Sequence, residues 1–483
     1  MSLADLAALL PFIVIAAASV VIMMVIAFYR DYKLTALLTL AALLVSFIML
    51  PATVSLLPRQ VTPLLLVDRY AFFYIGLVLA ASFFAAVLSY GYFKNRPGKH
   101  DEFYILLLIA TLGSAVLAAS CHFVSFFLGL ELLSVSLYSL IAYHRADERG
   151  NEAGVKYLVL AAASSSFLLF GMALVYAQTG TMEFSRMAAS AEVLSSSGSS
   201  LLLPAGFALI IVGIGFKLAL VPFHMWTPDV YEGAPAPVSA FIATVSKGAV
   251  FAVLLRYFTQ IDFHRFPAIV IVFTSVAIAS MLIGNLLALV QSNVKRILAY
   301  SSIAHLGYAL VAFLAGRAAA ISAVSYYFAA YFVTITGAFG IISVMSSKER
   351  DADDLEEYRG LAWRRPWLAG MFTLVLLSLA GIPLTAGFLG KFFVVAAGAD
   401  SSLWLLLVVL AISSSIGLYY YLRIISVLYD RMPDTSGAPA SALRLPLVGG
   451  AALAVLAILL IWLGIYPAHL LQLIKSTAAH LIN

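Results

Sequence analysis

The chain has 483 residues, of which 63% are hydrophobic and only 11% charged, with a formal net charge of +5. Mean hydropathy is +1.03. A soluble domain carries roughly 25% charged residues in a polar coat that this composition cannot supply, so a soluble enzyme and a disordered chain are both excluded.

A single cysteine, Cys121, leaves no disulfide framework, four-thiolate iron–sulfur cluster or thiolate zinc site within the chain. No glycine-rich dinucleotide fingerprint and no phosphate-binding P-loop occurs in the sequence. The net positive charge is assigned to basic loops rather than to nucleic acid.

A bilayer-spanning helix needs roughly 20 apolar residues, and about fourteen such runs fit the chain. They begin with 6–28, 34–57, 70–92, 103–119, 123–143, 153–178 and 201–235. The remaining runs are 237–258, 266–290, 297–316, 320–346, 366–398, 402–429 and 445–470. The runs are continuous and rich in Leu and Ala, which excludes the alternating strands of a membrane β-barrel. Asp5 precedes the first run, where a signal peptide would carry bases, so the run reads as a retained helix. The Ser-rich stretch 184–200 reads as an outer linker. The polar stretch 347–366 reads as a solvated loop with a short surface helix, or as a docking surface for a soluble partner.

Alternate loops differ in basic residues. One set holds Arg30, Lys33, Lys94, Arg96, Lys99, Arg145, Arg149, Lys295, Arg296, Lys348, Arg350, Arg359, Arg364, Arg365, Arg423, Arg431 and Arg444. The other holds only Arg59, Arg69, Arg186, Arg256, Arg265, Arg317 and Lys475. The positive-inside rule predicts that the first set faces the cytoplasm and that both termini face the periplasm.

Two runs are too long. A straight helix over 201–235 or 366–398 would rise roughly 50 Å, well past the hydrocarbon core. Prolines interrupt both, in Val221-Pro222-Phe223-His224 and in Gly381-Ile382-Pro383. Thr227 and Pro228 are predicted to cap and restart the first. Paired broken helices mark ion or substrate pathways in transporters, although a proline kink can also serve packing alone. The expected architecture is an all-α polytopic membrane protein with two inverted five-helix repeats, each holding one discontinuous helix. The predicted division is 1–100 (three helices), 101–263 and 264–430 (the repeats), and 431–483 (a final helix and tail).

Four ionisable residues fall inside runs: Glu131, Lys217, Lys247 and Lys391. Such groups are costly in lipid and must pair, face water or do chemistry. An inert Glu131–lysine pair would leave two bases without an acid. A buried lysine whose charge follows a movable partner is a proton-loading element. The reading is that Glu131 modulates Lys217 and that Lys217, Lys247 and Lys391 form a row of proton carriers. His224, at the first break, and His305, in mid-span, could relay protons or be hydrogen-bonded core residues. His122 reads as interfacial. Tyr326, Tyr327, Tyr331 and Tyr419 to Tyr421 read as anchors or packing.

The stretches GFKLALVPFHMWTPDVYEGAPAPVSAFIATVSKGAVF (215–251), VKRILAYSSIAHLGY (294–308) and GIPLTAGFLGKFF (381–393) resemble the antiporter-like subunits of bacterial NADH–quinone oxidoreductase, respiratory complex I. Phe-His-Met-Trp after Pro222 and a lysine at 391 resemble the subunit N branch in particular. The resemblance implies a pair between Glu131 and Lys217, a connecting Lys247 and a terminal Lys391. It implies proton translocation in the bacterial inner membrane as part of a hetero-oligomer with the other membrane subunits. It also implies that FMN, iron–sulfur clusters, NADH and quinone belong to partner subunits, with no cofactor or metal in this chain. A subunit of an Mrp-type antiporter or membrane-bound hydrogenase, a lone solute transporter and a passive scaffold are the competing expectations.

Overall fold

The computed structural model describes residues 2–94, 96–197, 201–431 and 447–482. Arg444 and the first residues of the predicted run 445–470 lie outside them. A short helical segment, Leu3–Ala8, leads into α1 (Leu10–Phe28) and α2 (Tyr32–Thr53). A β-hairpin, β1 (Arg59–Thr62) and β2 (Leu65–Val67), precedes α3 (Arg69–Lys94). Then follow α4 (Glu102–Ala119), α5 (Phe123–Ile141), α6 (Glu148–Thr179) and α7 (Phe184–Ser197). The first broken run is α8 (Leu202–Leu218) with α9 (Trp226–Gly233). After it come α10 (Ala236–Ile261), α11 (Pro267–Leu289), α12 (Val294–Leu314) and α13 (Arg317–Met345). The second broken run is α14 (Pro366–Ala380) with α15 (Ala386–Asp400). The chain ends in α16 (Trp404–Tyr429), α17 (Leu447–Ile465) and α18 (Ala468–Ile482).

Among the described residues, 12 helices are long and apolar enough to cross a membrane. Two shorter apolar helices, α8 and α14, are the first halves of the over-long runs. Helices satisfy every backbone donor and acceptor internally, so Leu/Ala-rich runs without turn residues adopt them in lipid. The chain is a polytopic all-α membrane protein.

Burial sorts the helices into an inner and an outer set. The apolar window of α10 is 100% buried and that of α12 is 94% buried, whereas α1, α2 and α16 each bury 33%. Lys247 on α10 is therefore surrounded by protein, and the outer helices turn Met23, Phe47, Val408 and similar side chains outward, as a lipid-facing surface requires.

Both breaks occur where proline and glycine predict them, with one difference in detail. Helix α8 stops at Leu218, Ala219 takes a left-handed conformation (φ 59°), and α9 restarts at Trp226 with Met225 at its N-cap. Thr227 is thus inside the helix and is not its cap; its buried hydroxyl has no hydrogen-bond partner. At the second break Gly381 (φ 86°) and Leu384 (φ 70°) are left-handed, and Thr385 caps α15 by accepting from the Phe388 amide. A β-carbon on Gly381 would come 2.8 Å from Lys391 Cδ, and one on Gly387 would come 1.9 Å from the Ser378 carbonyl oxygen. Glycine at these two positions lets α15 fold back tightly against the end of α14.

Three further expectations change. The Ser-rich stretch 184–200 is helical over 184–197, and residues 198–200 lie outside the described residues. The last predicted run divides into α17 and α18, because Tyr466-Pro467 interrupts it. In the polar stretch 347–366, a 3-10 turn (Leu355–Tyr358) and a helical turn (Leu361–Arg364) are present. Leu355, Tyr358 and Leu361 are buried, so this loop is anchored on the helix ends beneath it as well as solvated.

Candidate functional site: a row of lysines within the helices

Lys217 sits on the last turn of α8 and is 2% exposed. Its Nζ donates to Ser134 Oγ at 2.7 Å and lies 5.2 Å from the Tyr157 ring centre. Glu131, half-buried on α5, accepts from Ser165 Oγ at 2.6 Å. Glu131 and Ser134 are three residues apart on one helix and so share a face. The carboxylate and the ammonium therefore lie on the same side of α5, each held by a serine rather than by the other. Leu128 and Val135, on the same helix, are 57% and 58% exposed, so the α5 face beside Glu131 is open to the surroundings of the chain.

Lys247 is fully buried. It follows a π-helical turn, Ile242–Ser246, of the kind that recurs at functional positions in helices. Its Nζ donates to Ser302 Oγ on α12 at 2.7 Å and lies 5.3 Å from the Tyr231 ring centre. Lys391 is on α15; its Nζ donates to the Ala380 carbonyl at 2.8 Å and to Ser414 Oγ at 2.9 Å. The first of these satisfies a backbone acceptor freed by the end of α14. Among the described residues, none of the three lysines is ion-paired with a carboxylate.

Hydroxyl and imidazole groups connect the last two lysines. Tyr331 Oη donates to Ser302 Oγ at 2.8 Å, so Ser302 bridges Tyr331 and Lys247. The Tyr331 ring lies 5.4 Å from the ring of His305, which is buried on α12. His305 Nδ1 is 2.6 Å from Tyr327 Oη, and its Nε2 is 3.3 Å from Tyr421 Oη, which in turn is 2.5 Å from Ser301 Oγ. The Tyr308 ring also lies 5.4 Å from the His305 ring, edge-on to it. Lys391 Nζ lies 5.2 Å from the centre of the Tyr308 ring. Asn285 holds Tyr308 and Ser413 together, donating at 3.0 and 2.7 Å, and accepts from Tyr420 at 2.9 Å.

Tyr327, Tyr331, Tyr420 and Tyr421 are thus members of a buried polar cluster rather than interfacial anchors. Tyr326, which donates to the Leu463 carbonyl, and exposed Tyr419 do sit as packing and surface residues. His224 is buried at the first break, and its Nδ1 has no partner. It does not join the His305 cluster. His122 caps α5 by accepting from the Val124 amide. Sequence reasoning overlooked Ser134, Ser302, Ser414 and Asn285. A short polar residue in an apolar run is weak evidence, and only its position opposite a lysine makes it informative.

The sequence pattern also placed Arg256 among the loop bases. It lies inside α10 with no exposed surface, in a two-pronged pair with Asp68: both N–O distances are 2.8 Å. Asp68 Oδ1 additionally accepts from the Ala71 amide at 2.7 Å. Arg256 is therefore a fifth ionisable residue inside the helical runs, but one with a buried acid of its own.

The family described as NADH:quinone oxidoreductase/Mrp antiporter, transmembrane, matches residues 120–417. This region contains α5 to α15 and all four ionisable residues. NADH-quinone oxidoreductase subunit N of Nitrosospira multiformis is 53% identical over 495 aligned positions, covering 99% of this chain and 97% of the relative. The chain belongs to the subunit N family. Subunit N of Ectopseudomonas mendocina is 48% identical, with 98% of this chain and 96% of that relative covered. Among solved structures, a chain of respiratory complex I from Thermus thermophilus with bound aureothin superposes with a TM-score of 0.81 at 32% identity. That match covers 97% of this chain and 100% of the other. In this chain the three lysines lie on, or beside, the two broken helices of the fold.

Outside the spans, a charged cluster lies beneath the 347–354 loop. Burial would raise the Asp351 carboxyl, but the charges of Lys295 and Arg96 and the hydrogen bonds from Tyr92 and Lys295 overcome it and hold it at about 2. Burial, together with the nearby charges of Arg96 and His100, pushes the His144 imidazole down to about 4.

Proposed function

We propose that this chain is a proton-translocating membrane subunit of an NADH-quinone oxidoreductase and works within a hetero-oligomer of membrane subunits. FMN, iron–sulfur clusters, NADH and quinone belong to its partners, and this chain contributes protonatable side chains. Electron transfer in the partners shifts the charge balance at Glu131 and Lys217. Protons then pass along Lys217, Lys247 and Lys391, with His305 and its tyrosines between the last two and His224 beside the first break. The chain divides functionally at 1–100, 101–263, 264–430 and 431–483, the middle two parts being inverted repeats. The basic loops face the cytoplasm, and both termini lie on the periplasmic side of the bacterial inner membrane.

One observation carries this reading: Lys247 is fully buried and Lys391 half-buried, neither with an acidic partner among the described residues, yet each touches hydroxyls and aromatic rings that meet at His305. Buried bases without acids are retained in spite of their cost only where they act. The lack of such acids also argues against a lone solute carrier and a passive scaffold. A subunit of an Mrp-type antiporter or membrane-bound hydrogenase would share the fold, and near-full-length identity to the subunit N relatives favours the oxidoreductase. The test is Lys217→Met and Lys391→Met in the assembled complex. Both should abolish proton pumping while subunit content stays unchanged. Wild-type pumping by both variants would overturn the reading.

A further inference from the structure

Two helices that carry lysines are joined by a very short link. Helix α9, which continues the broken run of Lys217 and His224, ends at Gly233, and α10, the helix of Lys247, starts at Ala236. The carboxylate of Asp351 reaches this link from the distant loop after α13. Asp351 Oδ2 accepts from the Ala236 amide at 3.1 Å and from Lys295 Nζ at 2.9 Å. Its Oδ1 accepts from Tyr92 Oη at 2.6 Å and from Arg96 Nη2 at 2.9 Å. Lys295 also donates to the carbonyls of Glu232 at 2.7 Å and Ala234 at 2.6 Å. The three charges are nearly removed from solvent, with side-chain exposures of 10% for Asp351, 6% for Arg96 and 1% for Lys295. Arg96 and Asp351 also line a cleft of about 1590 Å³, together with His144, Ala234 and Pro235.

We propose that Asp351 is a positioning residue that clamps the 233–236 link and thereby sets the register of Lys247 against Ser302. The inference rests on the proton-carrier reading of Lys247. Its geometric basis is that Lys295 and Ser302 lie on the same helix, α12. Lys295 holds the first turn of α12 to the start of α10 through Asp351, and Ser302, seven positions on, receives Lys247. Between the clamped amide and Lys247 lies the π-helical turn Ile242–Ser246. A π turn is an irregular segment that can redistribute its hydrogen bonds, so the start of α10 must be fixed from outside for Lys247 to keep one position. A bond that merely joined two helices would run between side chains. This one grips the backbone of the link at three points, the Ala236 amide and the Glu232 and Ala234 carbonyls.

The test uses the whole complex in inverted membrane vesicles. Asp351→Asn is compared with wild type and with Lys217→Met for protons pumped per NADH oxidised. Subunit content and NADH oxidation by an artificial acceptor serve as assembly controls. Pumping by Asp351→Asn should fall toward that of Lys217→Met, and Asp351→Glu should recover part of it. Hydrogen–deuterium exchange should quicken at amides 236–246 and stay unchanged in α4 and α15; a general loss of stability would quicken all of them. Wild-type pumping by Asp351→Asn, with Lys217→Met inactive, overturns the clamp alone. Wild-type pumping by both Lys217→Met and Lys391→Met overturns the reading on which the clamp rests. Should Asp351→Asn fail to assemble, the charge-balanced Asp351→Asn/Lys295→Met pair carries the test, and normal pumping by that pair overturns the proposal.

Discussion

Helix α10 carries two buried bases, Lys247 and Arg256, and replacing each by methionine should have different effects on stability. Lys247 has no buried acid. Holding a lysine at the centre of a membrane helix costs about 2.5–3.5 kcal/mol on insertion scales. The hydrogen bond to Ser302 returns about 1.5–3 kcal/mol, as is typical of bonds to a charged group. Tyr331 still donates to Ser302 when the lysine is gone, so no buried hydroxyl is left without a partner. Lys247→Met should therefore be neutral or stabilising by about 1 kcal/mol. Arg256→Met instead strands Asp68, which is 1% exposed and would keep only the Ala71 amide as a donor. Breaking one partner out of such a pair costs about 3–5 kcal/mol.

The assay is retention of the chain in the complex after heating in mild detergent. Arg256→Met should be lost at lower temperature than wild type, while Lys247→Met should not be. Removing both members of the pair, in Asp68→Leu/Arg256→Met, should recover most of the loss and leave pumping intact. Lys247→Met should be stable and fail to pump. Equal destabilisation by the two single substitutions would refute the reasoning, because it would show that Lys247 is a structural member of a pair rather than a base kept for transfer.

Other expected outcomes follow from the same contacts. Ser302→Ala removes the bridge between Lys247 and Tyr331; it should slow pumping per NADH at a stability cost of about 1 kcal/mol, and unchanged pumping would exclude Ser302 from the route. Glu131→Gln keeps the acceptor for Ser165 but loses the charge, so pumping should fall without loss of subunit content; a wild-type proton yield would leave Glu131 no modulating role. His144 has its imidazole pushed from 6.5 to about 4 in the fold, so the unfolded chain binds the extra proton between those values. Stability around the His144 loop should thus decline as pH falls from 6.5 toward 4, and His144→Gln should flatten that decline in a thermal melt. Asp351, held at about 2 rather than 3.8, contributes its stabilisation fully above 3.8 and loses it only as pH falls toward 2, so it does not shape the same window.

Most of the fold is legible in hydropathy, because lipid enforces helices and the run lengths follow from bilayer thickness. The breaks are legible because proline and glycine act locally. What hydropathy misses depends on partners distant in the chain. Arg256 lies within an apolar run, near the end of one, and counting bases by loop assigns it to solvent. Only Asp68, 188 positions away, shows that it is internal. Lys295 reads as a loop base for the same reason, although it is 1% exposed and held to Asp351. The tyrosines read as membrane anchors because their ring type is common at interfaces, and only their contacts with His305 and Ser302 distinguish Tyr327, Tyr331 and Tyr421 from Tyr419.

The contrast among the buried bases separates structure from transfer more sharply than the sequence does. Arg256 is fixed by two strong bonds to one acid, a geometry that holds charge in place. Lys217, Lys247 and Lys391 each rest on a serine hydroxyl, which can act as donor or acceptor and so tolerates either the charged or the neutral amine. Arginine keeps its proton in proteins, whereas a buried lysine can give its proton up. A row meant to pass protons needs the second kind of partner at every station, and a row meant to hold helices together needs the first. On the proposed proton-carrier reading, the three lysines and the arginine divide along that line.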